Sequence, residues 1–298
     1  MIDCAVVIVN YNAGPLLHEA ARSALAQKAI EVVVVDNASV DGSADSLIAA
    51  VKDENIRLIR NTENVGFAAG CNAGVRATKA SAVLFLNPDC RLEPGALARL
   101  SEVLDSAADI GMVGPLLLNP DGSEQRGGRR KIPTPMLGFA KGFGLNFLAR
   151  IFPATFGDFN QNRDPIPDGV AQVEAISGGA MMVKRKAIDA IGVWDEGYFL
   201  HVEDLDYCMR FAIGGWRIMF VPDARAIHVK GASSRARPIF VEWHKHKGMI
   251  RFYNKFFAHD YPATAVWLVK SGVWLRFGLV AVFSMIRRLA SRRTGSEN

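Results

Sequence analysis

Three carboxylates open one apolar-periodic segment: in WDEGYFLHVEDLDYCMRF (194–211), Glu203, Asp204 and Asp206 fall around a single turn where a helix would begin. The helix dipole favours acidic residues in a first turn, and that alone is one sufficient reason for their presence. Three of them around one turn, preceded by a tryptophan and an aromatic run, exceed what a cap requires. Negative charges crowded together raise a carboxylate's pKa toward the range useful for general-base work.

A second carboxylate is presented differently. The apolar run of VLFLNPDC (83–90) stops at Asn87-Pro88-Asp89, where proline cannot continue a strand ladder. Mg²⁺ or Mn²⁺ takes one or two carboxylates together with phosphate oxygens of its substrate, and Asp89 suits that part, a turn residue being the plainer alternative. His228, which follows RIMFVPDARAI and opens an HVKGASS loop (228–234), is placed to complete such a site with a neutral imidazole. In VVDNASVDGS (34–43), Asp36 ends an apolar run where a carboxylate can accept an N–H from a nucleotide base; alternatively, Asp36 and Ser39 cap the next helix. In NTENVGFAAGCNAG (61–74), Gly66, Gly70 and Gly74 recur every fourth position and do not fit GxGxxG, which argues against a dehydrogenase. That spacing permits close packing of a helix on a sheet, while Asn64 and Gly66 offer amide groups near the helix start.

The elements that must position these residues alternate regularly. Ala5 to Val9, Val32 to Val35, Ile56 to Ile59, Val83 to Leu86 and Met112 to Leu118 read as buried strands, with helices predicted over 15–27, 43–52, 67–78 and 94–106. This repetition implies an α/β fold with a parallel sheet covered on both faces. Ligands bind such sheets at the carboxyl ends of the strands, where the candidates above cluster. Residues 119 to about 170 break the rhythm with NPDGS, RGGRRK, PTP and DPIPD, an irregular excursion of functional-loop character. Periodicity returns at 173–191, followed by a predicted helix at 203–214 and a strand at 216–221.

The chain has 298 residues, half of them hydrophobic, enough for one large core or for a core domain with an appendage. Lys plus Arg number 35 against 30 Asp plus Glu, a mild excess consistent with an anionic ligand. The cations lie in one loop and the C-terminal segment without an interleaved aromatic platform, which argues against nucleic-acid binding. Cys4, Cys71, Cys90 and Cys208 are far apart in sequence and have no metal-ligand spacing, so they read as reduced core residues of a cytoplasmic setting. No signal peptide is legible at the N-terminus, and catalysis is expected to face the cytoplasm.

In order along the chain, VVIVNYN, VVDNAS, NVGFAAGCN, FLNPD, SGGAMMVKR, WDEGYFLHVEDLDYCMR and HVKGASS resemble family 2 glycosyltransferases of the GT-A fold, and among them the rhamnosyltransferase-like members. The resemblance covers residues 3 to about 235. It implies a Rossmann-like, mostly parallel sheet flanked by helices and an inverting transfer from a nucleotide diphosphate sugar. It implies that Asn10, Tyr11 and Asp36 hold the nucleotide base, that Asp89 and His228 bind Mg²⁺ or Mn²⁺ bridging the phosphates, and that Asp204 is the base. Glu203 and Trp194 would line the sugar or acceptor pocket. The family's Asp-x-Asp-like motif begins here with Asn87, which removes one charge beside the metal. The division expected is a catalytic domain over 1–240, with a nucleotide-binding half (1–118), an acceptor-side loop (119–170) and a base-carrying half (171–240), then C-terminal helices over 241–298.

Tyr261 to Ile286 is long and apolar enough to span a bilayer but contains Lys270 and Arg276. These two, with Arg287 and Arg288, fall within an arc of about 120° on a helical wheel. Burying either cation at mid-membrane costs at least about 2.5–3.5 kcal/mol. An interfacial helix, with Trp267, Trp274 and Phe283 in the lipid and cations at anionic headgroups, fits better and puts the protein on the cytoplasmic face of the membrane. A helix packed on the catalytic core or in a homodimer is the alternative. A lipid-facing surface suggests an acceptor saccharide on a polyprenyl diphosphate, which the Arg126, Arg129, Arg130 and Lys131 cluster could hold; a solvated loop reads the same way. The expected donor is dTDP-rhamnose, with UDP-galactofuranose or a UDP-N-acetylhexosamine as alternatives. A degenerate, non-catalytic subunit is disfavoured by the joint presence of Asp89, Asp204 and His228.

Overall fold

A computed structural model describes residues 2–51, 53–134, 159–229 and 237–294, with side chains to Met285. Residues 135–158 of the excursion, 230–236 after His228, and the side chains of Arg287 and Arg288 lie outside the described residues.

Eleven strands are described: β1 Ile2–Asn10, β2 Ala29–Asp36, β3 Ile56–Arg60, β4 Ala82–Leu86, β5 Cys90–Leu92, β6 Ile110–Leu118, β7 Arg129–Arg130, β8 Ala171–Gln172, β9 Ala175–Ile176, β10 Ala180–Lys184 and β11 Arg217–His228. The helices are α1 Leu16–Ala26, α2 Ser43–Ala50, α3 Phe67–Ala77, α4 Ala96–Asp105, α5 Arg185–Ile191, α6 Glu203–Ile213, α7 Pro238–Phe256 and α8 Ala263–Thr294. The main sheet has the order β3-β2-β1-β4-β10-β6-β11-β5, with β8 added on β11, while β7 pairs β9 in a small second sheet. β1, β2, β3, β4, β6 and β11 run one way, and β10, β5 and β8 run against them. The sheet is therefore mostly parallel, as expected of a GT-A fold, with an antiparallel strand inserted at β10.

The period-2 alternation of β1 explains how it is covered on both faces. Val6 and Ile8 enter a buried cluster with Leu17, Ala20 and Ala21 of α1 and Leu97 and Leu100 of α4. Val7 and Val9 face α3. A Cβ on Gly70 would stand 2.7 Å from Val9 Cγ1, and one on Gly74 would stand 2.3 Å from Val7 Cγ1. The glycines at every fourth position thus let α3 lie directly on the sheet, as the spacing predicts.

Two segments differ from the sequence reading. β11 runs on to His228 rather than ending at 221, because its register shifts between Val221 and Arg225 and so accommodates Pro222, which has no N–H to donate. The NPDGS segment is a tight turn. Gly122 takes φ 83°, its N–H donates to Asn119 O at 2.9 Å, and Asn119 N–H donates to Ser123 O at 2.8 Å. The chain therefore doubles back to the end of β6 instead of wandering.

The described residues fall into two compact units. One lies within Met1–Ile132, Phe159–Phe199 and Glu203–Ser233 and carries both sheets with α1 to α6; the other lies within Leu200–Val202 and Ser234–Asn298 and carries α7 and α8. In the second unit α7 packs on α8 through Trp243, Trp274 and Phe277, whose ring centroids are 4.9 to 5.8 Å apart. Arg276 Nη1 donates to His246 Nε2 at 2.9 Å, and His246 Nδ1–H donates to Glu242 O at 2.7 Å. Arg276 is thus tied to α7. The segment Ala263–Met285 is long and apolar enough to cross a membrane, with mean hydropathy 1.6 over its most apolar window.

Candidate active site

The candidate residues of the first unit collect at one edge of the main sheet, because parallel strands end there together. β1 and β2 finish in register at Asn10 and Asp36. Asn10 is fully buried and acts through Asp36: its Nδ2 donates to Asp36 Oδ1 at 2.7 Å, with Ser39 and Ser43 hydroxyls at 3.0 and 2.9 Å. Asp36 Oδ2 accepts Ser39 N–H at 3.1 Å within the loop, but α2 begins only at Ser43, with Gly42 as its N-cap and no side-chain capping bond, so the capping alternative is not realised. Each carboxylate oxygen still has a second lone-pair position for a ligand N–H. Tyr11, one residue on, is half-buried.

Asn64 Oδ1 accepts Gly66 N–H at 3.0 Å, and Asn37 Nδ2 donates to Gly66 O at 3.0 Å, tying the end of β2 to the start of α3. Gly66 sits at φ 89°, and a Cβ there would stand 2.7 Å from Phe199 O. Both Asn64 and Gly66 therefore shape the helix entry, and Asn37 joins them without having been singled out in the sequence.

β4 ends at Leu86, and β11 brings His228 beside the turn that follows. His228 Nε2 lies 3.0 Å from Asp89 Oδ1 and 3.3 Å from Asn87 Nδ2. Asp89 and His228 are both nearly buried. Among the described residues no group of three or more His, Cys, Asp or Glu could hold a metal, so the protein offers this pair. The pair fits a hard divalent ion that completes its shell with phosphate oxygens and water. The 3.0 Å between His228 Nε2 and Asp89 Oδ1 is a hydrogen-bond distance, so the two side chains already face each other.

α6 begins with Glu203 and Asp204, entered through His201 and Val202 at φ 68° and 75°, left-handed values that cost non-glycine residues energy and concentrate at functional sites. Asp204 Oδ2 accepts from Arg130 Nη2 at 2.5 Å and from Gly178 N–H at 3.1 Å; Oδ1 accepts Leu205 N–H at 2.9 Å. Glu203 is buried, and among the described residues its Oε2 has no hydrogen-bond partner. Burial, followed by the charge of Asp204, pushes its carboxyl up to about 8. Asp206, third of the acidic cluster, is fully buried and paired with Arg210 at 2.7 Å, and Arg210 also holds the carbonyls of Ile191 and Val193. That carboxylate fastens α6 to the chain leading to Trp194.

Trp194 itself is buried, packed edge-on against Phe67 and Phe85 and tilted against Tyr207. Asn72 clasps its backbone, donating to Trp194 O and accepting Trp194 N–H, each at 2.9 Å. The ring lies below Gly178, under the cleft wall. Of the basic cluster, Arg130 reaches Asp204 and Ile176 O. Arg129 turns elsewhere: its Nε and Nη2 hold Glu124, and Nη2 also meets the carbonyls of Asp164 and Pro165. Its guanidinium is thus engaged within the protein, tying the start of the excursion to residues 164 and 165.

One dipeptide joins the two ends of the site. A Cβ on Gly178 would stand 3.3 Å from Asp204 Cβ, and one on Gly179 would stand 3.2 Å from the His228 ring. Asn87 N–H donates to Gly179 O at 2.9 Å. Asp204 on one side and Asp89 with His228 on the other therefore flank two consecutive residues. The SGG segment carries no titratable group, which is why composition and spacing gave it no role.

Comparison with known proteins agrees with this arrangement. The model of glycosyl transferase family 2 matches residues 5–164, and that of glycosyl transferase family group 2 matches residues 154–291. The chain belongs to glycosyl transferase family 2. It is 27% identical over 302 residues to an N-acetylglucosaminyl-diphospho-decaprenol L-rhamnosyltransferase of Mycobacterium tuberculosis, covering 97% of this chain and 95% of that protein. A dTDP-rhamnosyl transferase of Shigella flexneri is 26% identical over 231 residues, covering 76% of this chain and 69% of that one. Among solved structures, a mannosyltransferase from Pyrobaculum calidifontis in complex with GDP-Man and Mn²⁺ superposes with TM-score 0.57 at 17% identity, covering 99% of this chain and 79% of that chain. GalNAc-T7 with UDP, GalNAc and Mn²⁺ gives TM-score 0.61 at 17% identity, this chain covering 48% of its length. These likenesses show a GT-A-like fold, and the chain is a rhamnosyltransferase-like glycosyltransferase.

Proposed function

We propose that this protein transfers L-rhamnose from dTDP-rhamnose, with inversion, to a hydroxyl of a saccharide carried on a polyprenyl diphosphate, in the synthesis of a cell-wall or surface polysaccharide. The names of the mycobacterial and Shigella relatives support the donor, and the first supports the lipid-linked acceptor. The observation that carries the chemistry is the placement of Asp204 and His228 on either side of Gly178-Gly179.

In this reading Asp36 accepts the N–H of the nucleotide base, with Tyr11 beside it, and Asp89 and His228 hold Mg²⁺ or Mn²⁺ against the diphosphate. A divalent ion there supplies Lewis-acid stabilisation of the charge that grows on the departing diphosphate. Asp204, oriented by Arg130 and Gly178 N–H, takes the acceptor proton as the hydroxyl oxygen bonds to C1 and the bond from C1 to the diphosphate breaks. The leaving electron pair stays on the diphosphate, and no covalent enzyme intermediate forms. Residues 1–240 serve as the catalytic domain and 241–298 attach it to the cytoplasmic face of the membrane. Trp267, Trp274, Leu275, Leu279 and Phe283 are exposed on α8, and Lys247, Arg251 and Lys255 on α7, an apolar and cationic combination suited to an anionic lipid surface.

The test is a transfer assay with the purified full chain, Mg²⁺ and an N-acetylglucosaminyl diphospho-polyprenol acceptor, offered dTDP-rhamnose, UDP-galactofuranose or UDP-N-acetylglucosamine in turn. The expected result is a rhamnosylated lipid of anomeric configuration opposite to the donor's. Faster transfer from either UDP sugar, or retained configuration, overturns the reading.

A further inference from the structure

Gln125 lies in the segment that leaves the NPDGS turn, nearly buried and away from any solvent-facing role. Its backbone N–H donates to Leu117 O at 2.8 Å, which ties it to the end of β6. The neighbouring Glu124 is held by Arg129. What its side chain does is unusual: it grips a single residue at both ends. Oε1 stands 2.7 Å from His228 Nδ1, while Nε2 donates to the backbone carbonyl of the same His228 at 3.0 Å and to Asn119 Oδ1 at 3.1 Å.

The backbone carbonyl decides which way this carboxamide faces. A carbonyl oxygen only accepts, so the Gln125 atom against it must be the NH₂ group. Reversing the amide would set oxygen against oxygen at His228 O and again at Asn119 Oδ1, whose own Nδ2 is already committed to Ser123 Oγ at 3.0 Å. The atom facing His228 Nδ1 is therefore Oε1, an acceptor, and Nδ1 must carry a hydrogen. The nitrogen left to receive a cation is Nε2, which lies 3.0 Å from Asp89 Oδ1.

We infer that Gln125 is the positioning residue of the cation site, fixing both the tautomer and the ring direction of His228 so that Nε2 is presented beside Asp89. The inference rests on reading Asp89 and His228 as that site. Partners of this kind, bonded to the far nitrogen of a ligating histidine, set its basicity and orientation, and their loss costs about 10- to 100-fold in metal affinity. Gln125 belongs to the irregular excursion by sequence, so the segment between β6 and β7 serves the metal side of the cleft as well as the acceptor side.

The test compares wild type, Gln125→Met, Gln125→Glu and His228→Ala for binding of Mn²⁺ with dTDP, read by electron paramagnetic resonance, without turnover. Gln125→Met keeps the length of the side chain and loses both contacts; it is expected to weaken Mn²⁺ binding about 10- to 100-fold. Gln125→Glu keeps an acceptor at Nδ1 but sets oxygen against His228 O, and is expected to recover only part of that loss. In metal-free wild type, long-range proton–nitrogen NMR of the imidazoles, assigned through His228→Ala, is expected to show the His228 Nδ1 bearing hydrogen. Mn²⁺ affinity of a folded Gln125→Met within about twofold of wild type overturns the inference alone, provided His228→Ala loses binding. Should Gln125→Met fail to fold, the NMR on wild type decides, and a bare Nδ1 there overturns it. Undiminished Mn²⁺ binding by His228→Ala removes the cation-site reading and this inference with it.

Discussion

Arg130 Nη2 donates to Asp204 Oδ2 at 2.5 Å, so the carboxylate assigned to proton transfer is held by a cation before any substrate arrives. Arg130 thereby orients Asp204, and its charge offsets a small part of the rise that burial and then the Asp204 charge impose on the adjacent Glu203 carboxyl. Asp204→Asn keeps the hydrogen-bonding shape but cannot take a proton; it is expected to retain donor affinity in calorimetry and to lose about 10²–10⁴-fold in turnover. Wild-type-like turnover would remove Asp204 from the role of base. Arg130→Met, with the orienting partner gone, is expected to lower kcat at pH 7 by roughly tenfold or more while donor affinity holds.

Glu203 makes stability depend on pH. Its carboxyl is raised from the ordinary value of 4.5 to about 8 in the fold, so the native state keeps a proton that the unfolded chain releases. Stability is then greatest below pH 4.5 as far as this group is concerned and falls as pH rises toward 8, by up to about 1.4 kcal/mol per pH unit. Glu203→Gln, which cannot ionise, is expected to melt at a higher temperature than wild type at pH 8.5 and to converge with it near pH 4. Parallel melting curves across that range would show that Glu203 does not hold its proton.

On the opposite side of the cleft, Asp89→Ala removes the one carboxylate bonded to His228 Nε2. Calorimetry of dTDP with and without Mg²⁺ is expected to show that the metal-dependent part of the affinity is lost while the metal-independent part stays. If Mg²⁺ strengthens dTDP binding to the variant as much as to wild type, the cation sits elsewhere.

Packing gives a prediction independent of chemistry. A methyl group on Gly74 would meet Val7 Cγ1 at 2.3 Å, closer than packed carbon atoms approach, so the valine or α3 would have to shift. Gly74→Ala is expected to destabilise the fold by about 1–3 kcal/mol in chemical denaturation. An unchanged midpoint would mean that α3 can lift from β1.

Exposed apolar side chains on α8 should govern attachment to lipid. Replacing Trp267, Leu275 and Phe283 together by serine is expected to abolish co-sedimentation with anionic vesicles while transfer to a short soluble acceptor continues. Binding that persists unchanged would point to a different surface, and loss of self-association instead of vesicle binding would favour a dimer through this helix.

Much of the fold was legible in sequence because strands buried on both faces are apolar runs, and the polar residue that closes a run marks the sheet edge: Asp36 and Asp89 were picked out that way. The glycines of α3 were readable because a spacing of four has a steric meaning. What remained hidden depends on contacts distant in sequence. β10 enters the sheet against its neighbours, a pairing that no local pattern encodes. Arg129 and Arg130 are adjacent and alike, yet one is sequestered by Glu124 and the other meets Asp204, 74 positions away. Gln125 gave no signal, since a glutamine after a turn looks like any solvated side chain until the histidine 103 positions later folds onto it.

Gly178 and Gly179 carry one further consequence. Consecutive Cα atoms across a trans peptide are 3.8 Å apart, whatever the surrounding loops are doing. Because Asp204 packs on one of these residues and the His228 ring packs on the other, the two side chains take their places from points whose own separation is covalent. Substitutions in the surrounding loops leave that span unchanged, and the two side chains keep a common ruler.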